Sequence, residues 1–452
     1  MPTSRASHAL NRRRATALRR DPASPEVAQR TLKNGIRCVA VRAPGLRTGM
    51  LAVYVRVGSR YEAARVNGVS HFLEHAFFRG SARFPSTFEL NVAVEDVGGS
   101  LNASTGRESS AYYTPVHPGH LERAVEVLSD MLSTPRFGQL ELEREIILEE
   151  MLDEVDESGR DIDLDNIAKM QLFPKHGLAL KIAGTPASVK RIGERELRAH
   201  LAEHYHGGNL VLCAAGDFEP EALFAAGAAH FGGYPAARRV ATPRPPRPPR
   251  GPTSVFQSHS ESQAEFRVSF PAPPESSPEF YPLILIGRVL DDGLSSRLQR
   301  AIVEQRALAY SVGAGVDRFR DVSIFELEAA STVAKAPRVV EEMGKLLGEL
   351  CERRVSEEEL ERAKRRHAIA LEFALDSTTE LCGWYGSGAL FGSREDFAAR
   401  RARVAAVTPD DILRVARATF RPNNLHFTYV GPRTRRERAQ LDRWVAKPTG
   451  LI

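Results

Sequence analysis

The stretch from Ala241 to Thr253 constrains the fold more than any other feature of this 452-residue chain. Its sequence, ATPRPPRPPRGPT, contains six prolines, which lack a backbone N–H and fix φ, so neither a helix nor a central strand can form there. A proline-rich segment of this kind is typical of a semi-rigid linker. The chain is therefore predicted to fold as two units joined by residues 241–253.

The two units resemble each other in sequence. At an offset of 215 residues, similar side chains recur in the same order. The matched positions are Val189, Ile192, Leu197, Tyr205, Asn209, Leu210 and Gly216, which align with Val404, Val407, Ile412, Phe420, Asn424, Leu425 and Gly431. An ordered match at a fixed offset indicates a repeated fold. We therefore expect homologous halves at 27–240 and 254–440.

Hydrophobic periodicity predicts strands and paired helices in both halves. In the first half we expect strands at 36–43, 49–57 and 210–215, and helices at 68–79, 86–97, 119–133, 139–157 and 194–205. In the second half we expect strands at 263–270, within 309–330 and at 425–430, and helices at 278–290, 295–306, 335–352, 356–375 and 409–418. This order predicts an α+β fold in which each half is an antiparallel sheet covered by helices on one side.

The two ends of the chain are predicted to lie outside the halves. Residues 1–26 carry six arginines before the first acidic residue, Asp21, which is typical of a disordered tail or of an organellar presequence. Residues 441–452 are predicted to be a C-terminal tail.

Composition excludes several classes of protein. With 62 basic and 57 acidic residues the net charge is only +5, which gives no support for nucleic-acid binding. No run approaches the ~18 apolar residues that would span a membrane. The four cysteines are far apart, so a disulfide framework or a cysteine zinc site is not expected. A reducing, cytoplasmic location is predicted, with the periplasm or an organelle as alternatives.

The pentapeptide HFLEH at positions 71–75 is the strongest chemical signal. On a helix, His71 and His75 are one turn apart and project to the same side, so both imidazoles can bind one zinc ion. Glu74 lies beside them, where its carboxylate can accept a proton from an attacking water molecule. These three residues are therefore predicted to form part of a metallohydrolase site.

A catalytic zinc site usually has a third protein ligand. In ELEREIILEEM, Glu143 and Glu150 are seven residues apart, or two turns along one face of the predicted helix. Glu150 is the best candidate ligand, and Glu143 is predicted to support it. Taken alone, such an acidic helix is also typical of a solvated face, which is how we interpret Glu145 and Glu149.

Several segments together resemble one family of peptidases. HFLEH, HAFFRGSARFP, GGSLNASTGRESSAYY and ELEREIILEEM are similar to the inverzincin zinc peptidases that include pitrilysin, insulysin and mitochondrial processing peptidase. That family carries HxxEH and a glutamate about 75 residues later, the distance from His75 to Glu150. The segment VLDDGLSSRLQRAIVEQRALAYSVGAG at 289–315 also resembles the second half of these proteins.

The resemblance implies a role for each matched residue. It implies one Zn²⁺ per chain on His71, His75 and Glu150, with Glu74 as the general base and Glu143 in support. Residues 100–105 would bind an extended peptide at the sheet edge around Asn102 and Ala103, and Tyr310 would contact substrate from the second half. The two halves would close like a clam around a chamber that admits short or unfolded peptides.

A second HxxEH motif occurs at His200 to His204. Counting 75 residues from His204 reaches Glu279, which follows PAPPESSP rather than lying on an acidic helix. The matching helix of the second half contains no histidine. We therefore interpret His200, His204 and His206 as ordinary histidines on a polar helix face.

One position departs from the pattern of the family. Members that bind substrate with both halves have an arginine seven residues before the tyrosine, but here Val303 occupies that position and the nearest basic residue towards Tyr310 is Arg306. Valine cannot donate a hydrogen bond to a substrate carbonyl. Either a homologous partner subunit supplies the arginine in a heterodimer, or a homodimer uses Tyr310 alone or recruits Arg306.

These observations predict a zinc metalloendopeptidase that acts as the zinc-bearing subunit of a dimer. A processing-peptidase subunit of an organelle and a non-catalytic core subunit of a larger complex are the alternatives, because the fold of this family also occurs without activity.

Overall fold

The structure, a computed structural model, describes residues 25–260, 262–432 and 434–451. The predicted disordered tail at 1–26 lies outside the described residues except for its last two positions, and a strand already begins at Glu26. The strands of the first half are β1 Glu26–Thr31, β2 Arg37–Arg42, β3 Gly49–Val55, β4 Asn102–Thr105, β5 Ser110–Val116 and β6 Leu210–Gly216. Its helices are α1 Val69–Phe77, α2 Thr87–Glu95, α3 Leu121–Ser133, α4 Leu140–Glu150, α5 Leu164–Leu172, α6 Pro186–Val189, α7 Glu194–His204 and α8 Pro220–Phe231.

The second half begins after residues 241–252, which contain no helix or strand. Its strands are β7 Thr253–Ser258, β8 Gln263–Ala272, β9 Ser311–Arg318, β10 Ser323–Thr332 and β11 His426–Gly431. Its helices are α9 Phe280–Leu290, α10 Ala336–Glu352, α11 Glu357–Leu375, α12 Thr378–Cys382, α13 Gly388–Phe391, α14 Phe397–Ala405, α15 Pro409–Thr419 and α16 Arg435–Ala446, with π-helical turns at Gln299–Glu304 and Gly383–Ser387.

The two sheets have matching strand orders. The first is β1-β2-β6-β3-β5-β4 and the second is β7-β11-β8-β10-β9. Most pairs are antiparallel as predicted, but β2 and β6 run parallel, and so do β7 and β11. The predicted antiparallel sheets are therefore confirmed except for one parallel pair in each half. In each half the last strand returns after a long helical connection and inserts between two earlier strands, β6 between β2 and β3 and β11 between β7 and β8, which produces one parallel pair.

Each sheet is covered on both faces, because the halves exchange helices. One face of the first sheet packs on α1, α3 and α8 of its own half. Its opposite face, including Val39 and Cys213, packs against Cys382, Leu390 and Phe397 of the second half. In return, α5 lies on the second sheet, where Gln171 Nε2 donates to Thr253 Oγ1 at 2.8 Å. Helices were predicted to cover each sheet on one side only. The exchange of helices shows that both faces are covered.

The C-terminal segment is part of the second half. Helix α16 crosses the predicted boundary at residue 440, and Leu441, Trp444 and Val445 are buried in the second core. Burial of an apolar side chain of this size stabilises the fold by about 1.5–3 kcal/mol. The prediction of a tail at 441–452 is therefore wrong, because an amphipathic helix gains too much from packing to remain detached.

Within the described ranges, no helix combines the length and the apolar character that a membrane crossing requires. The cytoplasmic location stays a prediction.

Candidate active site

Helix α1 presents the two histidines of the first HxxEH motif on one face. Its opposite face, with Phe72, Leu73 and Ala76, is completely buried in the first core. The helix begins after Gly68, whose φ of 93° is in the left-handed region, and a Cβ there would lie 2.4 Å from the Ala183 carbonyl oxygen. Packing and this glycine therefore determine which face carries the histidines.

The first turn of α1 is held by a half-buried carboxylate. Glu62 accepts hydrogen bonds from the backbone N–H groups of Gly68, at 2.7 Å, and Ser70, at 2.9 Å. An acidic group at this end of a helix satisfies N–H donors that have no partner within the helix. The position of His71, the next residue, is fixed by this contact.

His71, His75 and Glu150 converge as the sequence predicted. Glu150 Oε2 is 3.8 Å from His71 Nε2 and 3.6 Å from His75 Nε2. One ligand atom from each residue lies within 4.8 Å of the other two. Two imidazole nitrogens and one carboxylate oxygen form the donor set that zinc hydrolases use, and about half of the Glu150 side chain is exposed, which leaves the cluster open to substrate.

The protonation of His71 suits a metal ligand. Burial, together with the neighbouring His75, lowers the pKa of His71 to about 4. The imidazole is therefore neutral at neutral pH, which is the form that binds a metal ion. Its Nδ1 is buried and has no hydrogen-bond partner among the described residues.

Glu143 lies against His75 rather than against Glu150. Its Oε2 is 2.9 Å from His75 Nδ1, and Arg79 Nε donates to its Oε1. An acceptor at Nδ1 places the proton there and leaves Nε2 facing Glu150. Glu143 therefore orients the His75 ring, and no sequence pattern indicated that Arg79 would in turn hold Glu143.

Glu74 is held by a threonine of the first sheet. Thr105 Oγ1 donates a hydrogen bond to Glu74 Oε2, and Ser110 Oγ lies 3.1 Å from the same hydroxyl. Burial raises the pKa of Glu74, while the Thr105 hydrogen bond opposes that shift. The contact between Thr105 and Glu74 was not predicted. The sequence pointed to Thr105 only in that it lies within NASTGRE, part of a segment that resembles the family.

The predicted substrate residues occupy different parts of the surface. Asn102 and Ala103 lie on β4, the edge strand of the first sheet, with Asn102 exposed. Tyr310 is 85% exposed on the second half. Val303 packs against the second core, and Arg306 donates to the Ala301 carbonyl oxygen at 3.0 Å.

The second HxxEH motif packs against the first. His200, His204 and His206 are all buried, so their assignment to a polar face is wrong. His200 Nε2 lies 2.9 Å from Ser70 Oγ in the first turn of α1. Helix α7 packs along α1, and this tertiary contact buries the side that its sequence marks as polar.

Comparison with known proteins identifies the family. The family model described as insulinase, peptidase family M16, matches residues 37–185, and the one described as peptidase M16 inactive domain matches residues 191–366. An uncharacterized zinc protease of Mycobacterium leprae is 30% identical over 348 residues, which are 75% of this chain and 77% of that protein. The chain belongs to peptidase family M16. The resemblance deduced from the motifs is thereby confirmed.

Two further relatives of this M16 chain extend the comparison. The β subunit of the mitochondrial-processing peptidase of Mus musculus is 28% identical over 424 residues, or 90% of this chain and 85% of that one. The crystal structure of a protease from Helicobacter pylori superposes with a TM-score of 0.82 at 20% identity and covers 90% of this chain and all of that one. This likeness shows that the fold is shared.

Proposed function

We propose that this M16 chain is a zinc metalloendopeptidase. The observation that supports the proposal best is the convergence of His71, His75 and Glu150, with Glu74 on the same helix. His71, His75 and Glu150 would hold one Zn²⁺, in agreement with the name of the mycobacterial relative, a zinc protease. When bound, Zn²⁺ supplies Lewis-acid polarisation of the peptide carbonyl and lowers the pKa of water.

Glu74 moves the proton in this proposal. Its Oε2 accepts the Thr105 hydrogen bond, so Oε1 is available to take a proton from the attacking water molecule. The protonated carboxyl group then gives that proton to the amine of the departing peptide fragment. A raised pKa helps the second step, because it makes the protonated form easier to reach.

The substrate would be an extended peptide. Within the described part of the chain, β4 pairs with β5 alone, so its other side offers backbone groups to an added strand. Asn102 and Ala103 would lie alongside such a peptide, close to Glu74 through Thr105. Short or unfolded polypeptides fit this mode of binding, because a folded protein does not present a separate extended strand. In the same proposal, the two halves close around a chamber that holds this peptide.

A partner subunit would complete substrate binding from the second half. Tyr310 is exposed, and Val303, at the position where the family pattern has an arginine, packs against the second core, so the expected pair of donors is incomplete in this chain. We favour a homologous subunit that supplies the arginine, with a homodimer as the alternative. The mouse relative is itself named as a subunit.

The substitution Glu74→Gln tests the function. Zinc content and the cleavage of an internally quenched peptide library would be measured for the chain alone and with its presumed partner. The variant should keep its zinc and cleave about 10²- to 10⁴-fold more slowly, the usual contribution of a general base. The matched control is Glu149→Gln, an exposed carboxylate on α4.

Two outcomes would contradict the proposal. Cleavage by the Glu74→Gln variant at the rate of the unsubstituted chain would exclude Glu74 as the base. Full zinc content with no cleavage by the unsubstituted chain, alone or with its partner, would favour the non-catalytic core subunit instead.

A further inference from the structure

The turn between β4 and β5 carries two charged residues that are buried. Arg107 and Glu108 are only 8% and 9% exposed. The Arg107 side chain donates to the Leu178 carbonyl oxygen at 3.1 Å and to Asn166 Oδ1 at 3.0 Å. A buried charge is tolerated when it is paired, so this turn is held by specific contacts. The turn follows directly after Thr105, the residue that bonds Glu74.

Glu108 connects the turn to the second half through Arg60. Arg60 Nη1 donates to Glu108 Oε1 at 2.5 Å and to Asp321 Oδ1 at 2.9 Å. Asp321 lies in the loop between β9 and β10 of the second half, and the neighbouring Arg320 N–H donates to Glu108 Oε2 at 2.8 Å. The Arg60 side chain is fully buried between its two carboxylate partners.

The backbone around this triad is also closely packed. Arg60 N–H donates to the Arg107 carbonyl oxygen at 2.9 Å. Gly58 has a φ of 130°, and a Cβ there would lie 2.3 Å from the Gly106 carbonyl oxygen. The segment that carries Arg60 therefore contacts the turn directly, with little room for either to shift alone.

We propose that the ion-pair triad Asp321, Arg60 and Glu108 lets the second half position the catalytic base, by fixing the β4–β5 turn and, through Thr105, the carboxylate of Glu74. The inference rests on the proposed function. Asp321, Arg60, Glu108 and Thr105 are positioning residues in this scheme, and only Glu74 acts on the substrate. The second half thus contributes to catalysis without touching the reacting atoms.

The substitution Asp321→Asn tests this inference. It removes the charge that connects the second half but leaves the pair between Arg60 and Glu108 intact, so that no buried arginine is left unpaired. Asp317→Asn is the matched control. Asp317 lies on β9 of the same half and also pairs across the halves, with Lys169 Nζ at 2.8 Å. Its link to the turn is indirect, through Lys169, Asp165 and Arg107, and the pairs of Asp165 with Lys169 and Arg107 remain when Asp317 loses its charge.

The zinc-loaded chain with its presumed partner would be assayed on the quenched peptide library. Asp321→Asn should lower kcat about tenfold at unchanged zinc content, since small displacements of a catalytic group have effects of this size or larger. Asp317→Asn should stay within about twofold of the unsubstituted chain. Thr105→Val should lower kcat in the same way as Asp321→Asn, and Thr105→Ser, which keeps the hydroxyl, should restore it.

Combining the substitutions separates positioning from general destabilisation. If Asp321 acts through Thr105, the Thr105→Val, Asp321→Asn double variant should be no slower than the slower single variant. Multiplicative losses in kcat, or equal losses in the Asp321 and Asp317 variants, would overturn the inference. If Asp321→Asn does not fold, Glu108→Gln replaces it and is judged by the same criteria.

The outcome for Glu74→Gln is independent of these results. A slow Glu74→Gln variant together with an Asp321→Asn variant of normal kcat would overturn only the positioning role. A Glu74→Gln variant that cleaves normally would overturn the proposed function itself.

Discussion

Glu143 is the most deeply buried acidic residue of the site, at 3% exposure. It is held between His75 Nδ1, at 2.9 Å, and the Arg79 guanidinium, so its charge is compensated on both sides. A carboxylate in this position fixes the tautomer and the ring orientation of the histidine. We therefore expect Glu143 to contribute to metal binding through the geometry of His75.

Glu143→Gln should weaken zinc binding by about 10- to 100-fold, because an amide is a weaker acceptor for His75 and leaves Arg79 without its ion pair. Competition with a chelator would measure the zinc affinity. The control is Glu145→Gln, an exposed position two residues along α4. Equal affinity in the Glu143 variant and the unsubstituted chain would contradict the role.

One element of the contact between the second half and the first sheet is especially tightly packed. The π-helical turn Gly383–Ser387 lies on β3 and β6, and at Gly386 a Cβ would be 2.3 Å from Tyr54 Cε2 and 2.9 Å from Cys213 Cβ. A methyl group at 386 would therefore have to displace side chains that are themselves packed against the sheet. By contrast, a Cβ at Gly383 in the same turn has no atom outside its own turn within 4 Å.

Gly386→Ala should lower the free energy of unfolding by about 1–3 kcal/mol, the usual effect of overpacking a core. Gly383→Ala should leave it unchanged or raise it by up to about 1 kcal/mol, since alanine reduces the entropy of the unfolded chain. Urea unfolding of both variants provides the comparison. A Gly386→Ala variant as stable as Gly383→Ala would show that the two halves repack easily.

At the scale of the whole molecule, stability depends on histidines that are buried far from the zinc site. Burial lowers the pKa of His426 to about 4, and burial together with Arg288 lowers that of His367 to about 4. Each is neutral in the folded chain, whereas the unfolded chain takes up a proton near the ordinary pKa of about 6.5. The unfolded state therefore binds more protons below about pH 6.5. The free energy of unfolding has its full value above that pH and falls as the pH drops towards 4.

His426→Gln should therefore reduce the acid sensitivity of the fold. At about pH 5 the unsubstituted chain should lose up to about 2 kcal/mol of stability through this residue relative to neutral pH, and the variant should not show that loss. Urea unfolding at the two pH values measures the difference. His120→Gln, at an exposed position, is the control, and an equal loss in His426→Gln would contradict the assignment.

Sequence patterns were sufficient to predict the duplicated α+β fold and the convergence of His71, His75 and Glu150. His71 and His75 share a face because helical periodicity alone places them one turn apart, and the motifs of the family added Glu150. The fold prediction rested on hydrophobic periodicity and on the ordered match at an offset of 215 residues, whereas the convergence followed from helical spacing and the family motifs.

Tertiary structure alone decided the remaining features. Periodicity does not specify strand order, so it could not show that β2 and β6 are parallel. His200 and residues 441–452 were predicted to lie at the surface. In the structure α1 covers His200, and Leu441, Trp444 and Val445 pack into the second core. The contacts of Glu143 with His75, of Thr105 with Glu74, and of Asp321 with Arg60 join residues 31 to 261 positions apart. Only packing brings such residues together, since no periodic pattern extends over those distances.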